Sequence, residues 1–153
     1  MTGKRFTLDT NILVYALDRQ AGDRHIAASR IIDQAALADC LLTLQAVSEF
    51  YAAVTRKRLV PAAEAVAQAR DWLDMFQTVP ASANAIRAAL TTAAAGQASY
   101  WDALLVATAA EAGCTAILTE DLADGGVLLG MRILNPFAGD ANAEQVARLL
   151  TPG

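Results

Sequence analysis

The 153-residue chain has one histidine, two cysteines, four prolines and few aromatic residues, and each shortage excludes something. A single histidine, His25, leaves no histidine pair for acid–base cleavage of a nucleic acid and no zinc site of two or more histidines. It stands at the start of an expected surface helix and reads as an ordinary surface residue. Cys40 and Cys114 are too few for a disulfide framework, and no CxxC spacing marks a zinc site. Both lie in apolar surroundings, as buried free thiols do. No apolar run approaches the roughly 20 residues of a membrane span. Thr7 and Asp9 interrupt the N-terminal segment before a secretory signal core can form. The phosphate-binding pattern GxxxxGKS or GxxxxGKT is absent, and so is the GxSxG nucleophile elbow. These absences point to a soluble, cytoplasmic protein without membrane association.

Hydrophobic residues make up 55% of the sequence, and the length is enough for one domain with a sizeable core. The chain opens with Phe6-Thr7-Leu8, an alternating strand end, and passes through Asp9-Thr10-Asn11 into the apolar helix Ile12–Leu17. A polar connection with Gly22 follows. Asp23 is the expected N-cap of a helix from Arg24 to about Asp39, with Ile26, Ile31, Ile32, Ala35 and Leu37 as its apolar stripe. Cys40–Thr43 reads as a second strand, and Thr43 as the cap of a helix from Leu44 to about Arg58. In that helix Leu44, Val47, Phe50, Tyr51 and Val54 should face the core. Pro61 starts a helix running to about Phe76, with Val66, Ala69, Trp72, Leu73 and Phe76 inward.

Gln77–Val79 follows as a third strand, then an alanine-rich helix from Ser82 to Ala95. Ser99 opens a helix that stops at Gly113, and Thr115–Thr119 is a clear strand. An acidic turn, Glu120 to Gly126, leads to a last strand at Met131–Leu134. The expected fold class is therefore α/β, with parallel strands and helices on both faces. Residues 1–137 form the main body, and 138–153 form a tail of the same domain with a weak amphipathic helix near Glu144–Leu150.

Four carboxylates stand out by position: Asp9, Glu49, Asp102 and Asp121. Asp9 and Asp121 each follow a strand, at the edge where open α/β sheets bind their ligands. Asp102 lies in the first turn of the helix leading into the second of those strands. Glu49 lies about two turns into the helix after the second strand. Each has a plainer reading. Asp9 can cap a helix, Ser99-x-x-Asp102 has the form of a capping box, Asp121 can stabilise a turn, and Glu49 can be a surface acid. Together they put four acids at one end of one sheet. Carboxylates that close repel, and a hard divalent cation relieves the repulsion. Oxygen ligands alone suit Mg2+ or Mn2+ rather than zinc, and the simplest nucleophile is then an activated water.

The net charge of −4 argues against a broad basic surface. Setting aside these four acids leaves the remaining twelve balanced by the twelve basic residues, so the excess charge is confined to the site. The run Arg56-Lys57-Arg58 reads as a solvated helix end, with RNA steering as its alternative.

With these residues in place, the chain resembles a PIN-domain ribonuclease, and most of all the VapC-type toxins of type II toxin–antitoxin pairs. The matching pieces are Leu8-Asp9-Thr10-Asn11-Ile12-Leu13, Ser48-Glu49-Phe50, Tyr100-Trp101-Asp102-Ala103-Leu104-Leu105-Val106-Ala107, Leu118-Thr119-Glu120-Asp121-Leu122 and Leu134-Asn135-Pro136-Phe137. The resemblance implies a three-layer α/β/α sandwich around a parallel sheet of about five strands. It implies Mg2+- or Mn2+-dependent cleavage of single-stranded RNA, with Asp9, Glu49, Asp102 and Asp121 as the catalytic, metal-holding acids. Asn11, Thr119 and Asp124 are implied as residues that orient those ligands. A homodimer and a cognate antitoxin protein are the implied partners. Two alternatives stay open. One is a metal-dependent phosphatase of the haloacid-dehalogenase type, disfavoured because Asn11 stands where a second aspartate is needed. The other is a non-catalytic module of PIN-like fold that binds RNA or a protein.

Overall fold

The computed structural model describes residues 4–139 and 142–152. A six-stranded sheet forms its centre, with strands β1 (Phe6–Leu8), β2 (Cys40–Thr43), β3 (Gln77–Val79), β4 (Ala116–Leu118), β5 (Val127–Leu128) and β6 (Met131–Leu134). Their order is β3-β2-β1-β4-β6-β5. All neighbours are parallel except β5, which pairs antiparallel with β6. Every residue of β1, β2 and β4 is buried. Side chains alternate between the faces of a strand, so burial at every position requires both faces to be covered. The helices that cover them are α1 (Thr10–Leu17), α2 (Asp23–Ala35), α3 (Leu44–Arg56), α4 (Ala62–Met75), α5 (Ala83–Ala94), α6 (Tyr100–Glu111) and α7 (Ala143–Leu150). A single 3-10 turn, Arg19–Ala21, links α1 to α2. This is the expected α/β sandwich, with one short antiparallel strand added at its edge.

The largest buried side chains, among them Phe6, Leu8, Ile12, Leu13, Leu41, Phe50 and Ile117, form one core along the sheet. Helix α6 is buried without a break from Ala103 to Ala109. Such a helix is apolar all round because it is covered on more than one side. It contributes Leu105, Val106 and Ala109 to the main core, and Ala103, Leu104 and Ala107 to a smaller cluster with Ala85 and Ala89 of α5. The tail helix belongs to the main core through Val146, Leu149 and Leu150, so it is an integral layer and not a loose appendage. Residues 140, 141 and 153 of the expected tail lie outside the described residues, as do 1–3 of the main body.

Several expectations need correction. Helix α2 ends at Ala35, and Gly22 rather than Asp23 is its N-cap residue. The chain then turns through 36–39 so that the Asp39 carbonyl can accept from the Phe6 amide at 3.1 Å. Leu37 is consequently 74% exposed, and Ile26 is exposed as well. Leu44, Tyr51 and Leu73 lie on helix rims instead of in the core. Strand β5 had no counterpart in the sequence reading. It pairs with β6 through a two-residue turn, Leu129-Gly130, in which φ is +51° and +77°. Turns with two positive φ values favour Asn-Gly, so a leucine at the first position hides the hairpin. Leu129 packs against both hydrophobic clusters, which offsets the strain of that backbone.

Candidate active site

The sheet order reverses direction at β1. The chain moves outward through β2 and β3, then returns to place β4 on the other side of β1. The gap above the carboxyl ends of β1 and β4 is therefore the topological switch point. In the shared register Leu8 pairs with Leu118, so Asp9 and Thr119 leave the sheet side by side. The Asp9 amide donates to the Leu118 carbonyl at 3.0 Å, and the Thr119 amide to the Leu134 carbonyl at 3.0 Å, carrying the ladder to the site's floor.

Asp9 is the N-cap of α1, and its side chain is 5% exposed. One carboxylate oxygen, Oδ1, accepts from the Thr10 amide at 2.7 Å. The other, Oδ2, accepts from the Thr119 hydroxyl at 2.7 Å. The residue that caps α1 is thus one of the four expected acids. Burial pushes the carboxyl up to about 6, the two hydrogen bonds oppose that rise, and the carboxylates of Asp102 and Asp121 add to it. Burial likewise raises Asp102, with Asp121 and Glu49 reinforcing the rise and the Ser99 hydroxyl opposing it. Asp102 and Asp121 thus lie within the electrostatic reach of Asp9, and Asp121 and Glu49 within that of Asp102.

Each acid has its own support. Thr43 caps α3 by accepting from the Ala46 amide at 3.1 Å, which fixes the helix that carries Glu49. Ser99 caps α6 by accepting from the Asp102 amide at 3.1 Å, so half of the expected capping box forms. The Asp121 amide donates to the Thr119 hydroxyl at 3.1 Å. That hydroxyl donates to Asp9 and accepts from Asp121, and Asn11 Nδ2 approaches it at 3.5 Å. Thr119 therefore stands behind two acids, and Asn11 beside it. The Asn11 Oδ1 atom is buried without a hydrogen-bond partner. Asp124 does not join them. Its Oδ1 accepts from the Asn135 amide at 2.8 Å and from Asn142 Nδ2 at 2.6 Å, tying the acidic turn to the segment before α7.

Three supports were not apparent from the sequence. The Thr10 hydroxyl donates to Glu49 Oε1 at 2.8 Å. Gln45 Nε2 donates to Glu49 Oε2 at 3.2 Å and to the Trp101 carbonyl at 2.8 Å, clamping α3 to the first turn of α6. Glu120 accepts from the Tyr15 hydroxyl at 2.6 Å and pairs with Arg24, whose guanidinium lies 5.4 Å from the Phe137 ring centre. That knot braces the turn bearing Asp121, and its pairing holds the Glu120 carboxyl below its ordinary value. A polar residue one turn before Glu49 was the only available sign of Gln45; the Glu120 knot joins parts of the chain too distant to read together. His25 is half-buried, its Nδ1 at 2.9 Å from the Tyr15 carbonyl to which it donates, away from the acids.

The donor set is all oxygen, as a hard divalent cation requires. Among the described residues, no group of three or more acid, cysteine or histidine side chains is placed to hold a metal ion. The buried Asp9 carboxyl, raised chiefly by burial, and the orphaned Asn11 oxygen fit a site that would take a cation.

Fold and site together define an α/β protein with an acidic cleft at the switch point of its sheet. The chain belongs to the PIN domain family, whose model matches residues 6–123. Solved structures of similar fold include VapC20 of Mycobacterium tuberculosis, described as a sarcin–ricin loop cleaving toxin. It is 16% identical with a TM-score of 0.62, over 76% of this chain and 89% of that one. VapBC2 of Rickettsia felis, bound to a promoter DNA fragment, is 14% identical with a TM-score of 0.63, over 86% and 98%. A toxin–antitoxin complex of Klebsiella pneumoniae is 19% identical with a TM-score of 0.62, over 86% and 97%. Among curated proteins, no sequence matches the chain. No helix among the described residues is long and apolar enough to cross a membrane.

Proposed function

We propose that the chain is a Mg2+- or Mn2+-dependent endoribonuclease of single-stranded RNA, acting as the toxin of a toxin–antitoxin pair. The observation that carries this reading is the buried Asp9 carboxyl, raised to about 6 at the switch point with Asp102 and Asp121 as charged neighbours. Membership of the PIN domain family and the toxin structures of like fold support the same conclusion. Asp9, Asp102 and Asp121 hold the cation, and Glu49 completes the cluster. A bound divalent ion supplies Lewis-acid polarisation of phosphate oxygens and makes water acidic enough to attack near neutral pH.

The protein's own contribution is placement. The Thr10 hydroxyl and Gln45 amide hold both oxygens of Glu49, leaving its carboxylate oriented to take a proton from the attacking water. Thr119 fixes Asp9 and the start of the turn bearing Asp121 in one relation. The acids also repel a phosphodiester until a cation reverses the local field, so cleavage without divalent ions should be negligible. The partners of this reading are a cognate antitoxin protein and a second copy of the chain.

The test is cleavage of a single-stranded RNA with and without Mg2+, by the protein and by Asp9→Asn and Asp102→Asn. Loss of cleavage in both variants is expected, and undiminished cleavage in both rejects the assigned site. The phosphatase alternative draws nothing from the geometry, because Asn11 leans toward Thr119 and supplies no second carboxylate.

A further inference from the structure

The sequence holds two tryptophans, and the fold treats them oppositely. Trp72 is 3% exposed and packs edge-on to Phe50 at 4.7 Å. Trp101 is 60% exposed, an unusual state for the largest apolar side chain. Its backbone is anchored, and its ring has one aromatic neighbour. Its carbonyl accepts from Gln45 Nε2 at 2.8 Å, and Tyr100 meets its ring edge-to-face at 5.0 Å and 71°. It is adjacent in the chain to Asp102, so its Cα lies about 3.8 Å from that of a site acid. The clamp reaching it is the same Gln45 amide that holds Glu49.

We propose that the Trp101 indole is the platform on which a base of the RNA stacks beside the scissile phosphate. This rests on the ribonuclease reading above. A phosphodiester held by a cation beside Asp102 would bring its flanking nucleotide past the neighbouring side chain. An aromatic face there supplies attraction that does not depend on base identity, which suits an unpaired strand. The acidic cleft offers the backbone no attraction of its own, so stacking is the contact left to the protein's side chains. A protein partner covering the ring is the competing occupant, and the oligomeric state of a ring-less variant distinguishes it from RNA.

The test uses the full chain in an Asp9→Asn background, which prevents cleavage, with oligouridylate and oligoadenylate as probes. Only Trp101 is exposed, so quenching of the solvent-accessible fluorescence on adding either oligonucleotide reports stacking at that ring. Trp101→Phe should keep the affinity within about threefold, and Trp101→Leu should weaken it about tenfold or more, for both oligonucleotides. In the cleaving protein, Trp101→Leu should raise KM with kcat little changed. Equal affinity and equal KM in Trp101→Leu, with the parent still cleaving, would overturn the platform and leave the ribonuclease reading intact. A Trp101→Leu protein whose molar mass by light scattering changes while RNA affinity does not would assign the ring to a protein contact and overturn it too. If the unsubstituted protein neither binds nor cleaves RNA, both readings fall together.

Discussion

At the scale of single residues, Asp9 carries two duties whose energetics oppose each other. Its carboxyl is raised from 3.8 to about 6, chiefly by burial. A carboxyl raised in the folded state holds its proton more tightly folded than unfolded. Stability is therefore greatest below the unfolded value and falls as pH climbs from 3.8 to about 6. Asp9→Asn cannot ionise and keeps an oxygen for the Thr10 amide. In a chelating buffer near about pH 7.5 it should stabilise the fold by on the order of 2–3 kcal/mol, while abolishing cleavage. Thermal melts across pH should show the gain shrinking to nothing near about pH 4. A gain that persists at acid pH would mean the effect is not the charge. Thr119→Val removes the hydroxyl that serves Asp9 and Asp121 at nearly constant volume. It should lower cleavage by about 10- to 100-fold, read from single-turnover rates.

At the scale of elements, the proposed site depends on helices and strands that carry its acids from distant parts of the chain. The Gln45 clamp joins α3 to α6. Gln45→Met keeps the length without the donor, and should lower kcat about tenfold while costing about 1 kcal/mol of stability. An equal loss in Gln45→Met and in a surface control would remove the clamp's special role. Helix α7 lies beyond the matched residues 6–123 yet buries Leu149 in the main core. Leu149→Ala should cost about 2–4 kcal/mol, seen as a lower denaturant midpoint with cleavage retained below the transition. The strand ends were legible because short apolar runs stop at capping residues, which put Asp9 just past β1 and Thr119 just past β4. Thr43 and Ser99 were legible as caps for the same reason. Leu37, Leu44 and Tyr51 misled because helical periodicity does not separate core from rim. Strand β5 was hidden by a leucine in a left-handed turn position. Thr10, Gln45 and the Arg24–Glu120 pair were hidden because their partners lie far away in the chain. The resemblance implied Asp124 as a residue that orients the acids, but its carboxylate accepts from Asn135 and Asn142.

At the scale of the whole molecule, the charge of −4 is what remains when four acids are set apart from an otherwise balanced surface. On the proposed reading, a cation at those four acids would neutralise that excess. A divalent ion that binds only the folded chain must also stabilise it, by about 2.7 kcal/mol at a hundredfold excess over Kd. Calorimetric titration of Mn2+ into the protein and into Asp9→Asn, Glu49→Gln, Asp102→Asn and Asp121→Asn tests the shared site most directly. One saturable site, weakened at least about tenfold by each substitution, is the expected result. Mn2+ binding of the same affinity in all five proteins, or none in the parent, would contradict a cation site built from these four acids.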